Sequence, residues 1–188
     1  MSQGVLSPLQ TQKFTALFSQ MDIDHDGTLT AADFQAQAGR IADALGWAGD
    51  ARKERELLQN RQELFARLLS GADKDASGSV TLPEFLKYFE RQILAYRAAK
   101  VVSPWLVESC RGLFNLIDAD ASGFINAEEY AKLLFAMGSD ADAAAAFAKV
   151  DRDRDGKLLL ADLLTLSVEF MMSDDPDAAG NFFFCGKM

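Results

Sequence analysis

Apolar residues in this chain recur at three- and four-residue spacing, the period of helices that turn one face to a core. Four short runs rich in Asp and Gly interrupt that pattern. Ser7 followed by Pro8 supplies a cap and a helix start, with Leu9, Phe14, Leu17 and Phe18 on one side of a helix running to about Gln20. A second helix is predicted from near Ala31 to Leu45-Gly46, and a third from about Asp50 to Leu69. A fourth covers Leu82 to about Ala99, where Pro83 is tolerated because it falls in the first turn. Ser103-Pro104 repeats the cap-and-proline start for a fifth. Gly138 ends the sixth, Asp140 caps a seventh whose Ala143 to Ala146 run is good helix former, and the eighth covers about Leu160 to Phe170. The predicted class is all-α, as four helix-loop-helix units.

The four interruptions share one spacing. The first is Asp22, Asp24, Asp26, Gly27; the second Asp73, Asp75, Ser77, Gly78; the third Asp118, Asp120, Ser122, Gly123; the fourth Asp151, Asp153, Asp155, Gly156. Oxygen side chains stand at positions 1, 3 and 5, a glycine at 6, and a carboxylate at 12: Asp33, Glu84, Glu129 and Asp162. This is the pattern of the EF-hand calcium loop. Calcium takes roughly six to eight oxygens at about 2.3–2.6 Å, and a short loop supplies them only if alternate side chains turn inward. Glycine permits the sharp bend. Position 7 lends a backbone carbonyl, so Thr28, Ser79, Phe124 and Lys157 can differ there. Position 8 is always apolar (Leu29, Val80, Ile125, Leu158), as expected of a residue pairing with its counterpart in a neighbouring loop through a short strand. Four Asp/Gly-rich surface turns would have no reason to fix positions 8 and 12.

Apolar flanks repeat with the loops. Phe18, Leu69, Phe114 and Phe147 lie four residues before each loop; Phe34, Phe85, Tyr130 and Leu163 follow directly. They are expected to pack inward when hands meet in pairs. Loop starts lie 51, 45 and 33 residues apart. The long first step leaves room for a bend around Gly46 to Gly49, and the short last step suits a compact pair. Lys100 to Ser103 reads as a short turn rather than a solvated linker, so the halves should pack together. The organisation expected is an N-terminal pair (1–100), a C-terminal pair (101–172) and a tail (173–188).

Charge follows from the loops. The formal net charge is −9, and the loop positions hold half of the 28 acidic residues. Four divalent cations would bring the charge to −1, so metal should stabilise the fold. Excess acid argues against nucleic acid or an anionic membrane as partner. No apolar stretch approaches the length needed to span a bilayer. Met1 to Lys13 shows no signal-peptide pattern, and Ser2 no myristoylation signal. Cys185 lies fourth from the end, but Gly186 and Lys187 are not the aliphatic residues of a prenylation box. Cys110 and Cys185 suggest no disulfide framework. A cytoplasmic monomer is expected.

The sites should differ. Glu84 and Glu129 are long enough to give both oxygens to Ca2+; Asp33 and Asp162 are a methylene shorter, which moves hands 1 and 4 toward Mg2+. Asp26 and Asp155 partly compensate at position 5. Hand 4 has Leu159 at position 9, where Thr30, Thr81 and Asn126 stand elsewhere, so water must replace a side-chain ligand. Up to four ions are expected, hand 4 being the one whose filling the sequence does not fix.

The chain resembles the sarcoplasmic calcium-binding proteins and their bacterial, calerythrin-like relatives. The four loops carry the resemblance, with the long first spacing and the segment Ser173-Asp174-Asp175-Pro176-Asp177-Ala178-Ala179-Gly180-Asn181-Phe182. That segment is similar to the family's closing Asp-Asp-Pro-Asp…Gly-Asn-Trp, with Phe182 in place of Trp. The resemblance implies a compact globule closed by an aromatic tail, and a cytosolic Ca2+ and Mg2+ buffer. Independently, Phe182, Phe183 and Phe184 form an apolar cluster that should fold back on the protein or bind a partner.

Two other functions are open to the sequence. A calcium sensor would expose a groove to a target protein, but such grooves are rich in Met, and two of the six here are terminal. A luciferin-binding carrier would need His, Tyr and Trp around its ligand. The only histidine, His25, sits at position 4 of loop 1, and Trp47 and Trp105 read as core. No nucleophile–base pair is visible, so no enzyme activity is expected.

Overall fold

The computed structural model describes residues 5–185, except for the side chains of Trp105 and Cys185. The expectations for the extreme N-terminus, for Trp105 and for the last residues fall outside that description.

Most of the helices start where a side chain can take up free amides. Helix α1 (Pro8–Met21) has Ser7 as cap, accepting from the Gln10 amide at 3.1 Å while the Gln10 side chain reaches back to the Ser7 amide. Helix α2 (Ala31–Ala44) follows loop 1. Gly46 and Gly49 take positive φ between it and α3 (Ala51–Ala72), where the bend was expected. Asp50 caps α3. Helix α4 (Leu82–Ala99) ends at Lys100 in a left-handed conformation, and α5 (Pro104–Ile117) begins after Ser103. Helices α6 (Ala127–Ala136), α7 (Ala143–Val150), α8 (Leu160–Met172) and the short α9 (Gly180–Cys185) complete the order. Asp142, not Asp140, caps α7, accepting from Ala144 and Ala145. The two acids stand two residues apart, and only the later one meets the first free amides.

The loops pair as two back-to-back couples. Strand β1 (Thr28–Leu29) runs antiparallel to β2 (Val80–Thr81), with Leu29 opposite Val80. Ile125 and Leu158 exchange two amide–carbonyl bonds of 2.9 Å. All four position-8 side chains are fully buried, so each bridge is also the point where a loop is pinned to its core.

The two couples share one interior. Phe14 of α1 stacks on Phe89 of α4 (centroids 4.4 Å apart) and meets Phe170 of α8 edge-on (5.8 Å). A second cluster gathers Phe114, Ile125, Tyr130, Phe147 and Leu163. The loop-flanking residues are buried as expected except Leu69, which is half-buried; Leu68 takes the inner place.

The tail folds back. Phe183 is fully buried, its ring stacked on Tyr130 (6.3 Å), and the Tyr130 hydroxyl donates to the Phe182 carbonyl at 2.7 Å. Gly180 is required there. A Cβ on it would stand 2.5 Å from the Leu166 carbonyl oxygen and 2.6 Å from the Phe170 nitrogen, so α9 could not lie against α8. Asn181, fully buried, donates to the carbonyls of Asp175 (2.9 Å) and Pro176 (3.0 Å) and accepts from Lys13 Nζ (3.1 Å). Lys13 also donates to the Ser173 carbonyl at 2.8 Å and lies over the Phe170 ring. Burial pushes the Lys13 pKa down, against the opposing pull of Asp174 and Glu169. The Gly-Asn pair of the tail is therefore a latch between α1, α8 and α9.

Candidate metal centres

The loops fold by bonding their own carboxylates to their own amides. Position 6 has positive φ in each (Gly27 89°, Gly78 81°, Gly123 84°, Gly156 79°). Position 4 is also left-handed, although none of its residues is glycine: His25 58°, Ala76 59°, Ala121 56°, Arg154 59°. This double bend turns positions 1 and 3 toward a common centre in every loop; Asp155 joins them in hand 4, whereas Asp26 accepts from Thr28 and stays outside the hand 1 cluster.

In hand 1 Asp22 accepts from the amides of Asp26 (3.2 Å) and Gly27 (3.0 Å), and Asp24 from Asp26 (3.2 Å). Asp33 closes the ring: one oxygen accepts from the Ile23 amide (2.9 Å), the other from the Thr30 amide (2.8 Å). Hand 2 repeats this, with Asp73 on Ser77 and Gly78, and Glu84 on Lys74 (3.2 Å) and Thr81 (3.0 Å). Hand 3 repeats it with Asp118 on Ser122 and Gly123, and Glu129 on Ala119 and Asn126 (both 3.0 Å). Carboxylate oxygens of Asp22, Asp24 and Asp33, of Asp73, Asp75 and Glu84, and of Asp118, Asp120 and Glu129 thus lie within 4.8 Å of one another. Ser77 and Ser122 donate to the position-7 carbonyls of Ser79 (3.3 Å) and Phe124 (3.0 Å), so those carbonyls face into their loops. The amides of Thr81 and Lys74, with the Thr81 hydroxyl, hold Glu84 below the usual carboxylate range; the Ser122 hydroxyl and amide do the same for Asp120.

Hand 4 departs from this geometry. Its cluster is Asp151, Asp153 and Asp155, without Asp162. Asp162 accepts from the Leu159 amide at 2.7 Å, but among the described residues its other oxygen is not met by the position-2 amide. Side-chain length is not the whole cause, since Asp33 meets both amides in hand 1. Asp151 accepts from Gly156 (2.9 Å) through one oxygen, while its Oδ1 is buried with no hydrogen-bond partner, alone in this among the described residues. A cleft of about 120 Å³ adjoins it, lined by Asp151, Asp153 and Asp162. Buried acceptors are nearly always satisfied. An orphaned carboxylate oxygen within a ring of acids fits a cation.

Two features escaped the sequence reading. Position 9 caps the exit helices: Thr30 Oγ1 accepts from Ala32, and Asn126 Oδ1 from Glu128 and Glu129. Leu159 leaves α8 without that cap and is half-exposed. Arg152, at position 2 of loop 4, pairs with Glu169, which also accepts from the Gly180 amide at 2.6 Å. Loop 4 is thereby tied to the tail. Long polar side chains such as these carry no pattern by which a sequence could place them.

A family model described as an EF-hand domain pair matches residues 11–90, and one described as an EF hand matches residues 111–134 and 143–158. Calerythrin of Saccharopolyspora erythraea is 35% identical over 157 residues, covering 81% of this chain and 86% of its own. A sarcoplasmic calcium-binding protein from amphioxus superposes with a TM-score of 0.76 at 20% identity, over 97% of this chain and 100% of that one. The coelenterazine-binding protein of Renilla muelleri, in its Ca-loaded apo form, gives 0.71 at 20% identity over the same shares. At these identities the two solved structures speak for the fold alone.

Proposed function

The chain belongs to the calcium-binding EF-hand family of calerythrin, and from that premise we propose that it is a buffer. It binds Ca2+. The proposed ligands are the position 1, 3, 5 and 12 side chains with the position-7 carbonyls, Mg2+ being the competitor in hands 1 and 4. The single observation that carries the buffer reading is the burial of Phe183: the apolar face of the C-terminal pair is filled by the chain's own tail. A sensor needs that face for its target. The proposed setting is the cytoplasm, which suits the free, buried thiol of Cys110, and the proposed state is a monomer divided at 1–100, 101–172 and 173–188. No helix of the described residues is long and apolar enough to cross a membrane. The role is binding rather than catalysis; His25 is exposed on loop 1.

A sensor reading draws on Phe135 of α6, which is 72% exposed. Chromatography on phenyl-agarose separates the two. A buffer passes through in Mg2+ and in Ca2+ alike. Retention in Ca2+ with release by chelator overturns the buffer reading.

A further inference from the structure

A cavity of about 440 Å³ lies where the two halves meet, within the range of small-molecule sites. Its apolar walls include Leu17 and Met21 of α1, Phe85 and Phe89 of α4, Phe170 of α8 and Phe184 of α9. Exposed residues on α3 and α5, Arg67 and Glu108 among them, mark where it opens.

One cation in its wall is buried. Arg61 is 8% exposed, and among the described residues its Nε and Nη2 donate only to the Asn60 side-chain oxygen, at 3.2 and 2.7 Å. Among the described residues no carboxylate comes within ion-pair distance of it. The acids lining the same cavity are engaged elsewhere: Glu108 faces Arg111 at 3.8 Å, and Glu63 accepts from Gln59 at 3.0 Å. Burial alone lowers the Arg61 pKa, to about 10, with no charge opposing it. A guanidinium has five donors in a fork that suits a carboxylate. Left without an anion in a low-dielectric wall, it destabilises the empty cavity.

We infer that this cavity binds an amphipathic carboxylate of the fatty-acid class, its head group on Arg61 and its alkyl chain against the aromatic wall. One buried cation beside an otherwise apolar surface selects a single negative head with a long apolar tail. It does not suit a polyphosphate, which would need several donors.

The test titrates the Ca2+-loaded full chain with cis-parinaric acid and with its methyl ester, followed by fluorescence. Saturable one-to-one binding of the acid is expected, with the ester weaker by roughly ten- to a hundredfold, the range of a charge-assisted hydrogen bond. Arg61→Met should make acid and ester equal, while Arg61→Lys keeps the preference; circular dichroism and Ca2+ stoichiometry confirm that both variants fold. Dodecanoate should displace the probe and dodecylphosphocholine should not. Absence of saturable binding, equal binding of acid and ester to the wild type, or displacement by the zwitterion overturns the inference. The wild-type comparison decides the matter even if Arg61→Met fails to fold.

Discussion

Replacing Phe183 with Ala tests how firmly the tail is held. The ring is fully buried, stacked on Tyr130 and edge-on to Phe184 at 4.8 Å. Deleting such a ring costs about 3–5 kcal/mol, from lost transfer energy and the cavity left behind. The tail could relieve the cavity by peeling away, but that would expose Phe184 and break the bonds that Tyr130 and Lys13 donate to Phe182 and Asn181 of the tail. The loss should therefore not fall below this range. For a chain of this size the melting temperature should drop by roughly 6–20 °C. The assay is urea unfolding at saturating Ca2+, followed by circular dichroism. Ca2+ stoichiometry should be unchanged, since no loop residue is touched, while the variant should bind phenyl-agarose. A loss under about 1 kcal/mol, or no gain in apolar exposure, would refute the view that Phe183 seals this face.

Three other predictions follow from the contacts. Gly180→Ala, whose Cβ would collide with the backbone of α8, should lower stability by about 2 kcal/mol or more, read from thermal melts; an unchanged melt would mean α9 does not pack as described. Glu84→Gln and Glu129→Gln should each remove one Ca2+ in calorimetric titration, and unchanged stoichiometry would contradict the role given to position 12. Asp162→Glu should let the side chain reach the position-2 amide, as Glu84 and Glu129 do, and raise hand 4's preference for Ca2+ over Mg2+ about tenfold. No change in the competition titration would sink that reading.

What the sequence made legible was whatever coordination chemistry or packing forces to a fixed spacing. The glycines at position 6 and the apolar residues at position 8 announced the loops and their pairing, and Leu29, Val80, Ile125 and Leu158 are indeed buried. The left-handed position 4 left no trace, because His25, Ala76, Ala121 and Arg154 share no chemistry; the loop imposes the conformation on whatever stands there. Lys13, Asn181 and Arg61 belong to residue types that are mostly exposed, and nothing in their spacing marks them as exceptions. Only the fold shows that they are buried. Leu159 had marked hand 4 as different, but how position 12 differs between hands 1 and 4 was out of reach. Both end in Asp, yet Asp33 joins its cluster and Asp162 does not.

The most direct test of the central claim is hydrogen–deuterium exchange of residues 180–185 in the Mg2+ and Ca2+ forms of the full chain. A buffer that keeps its apolar face closed should show equal or slower exchange there when Ca2+ replaces Mg2+. Faster exchange in Ca2+ would mean that the ion releases the tail, and the protein would be a switch.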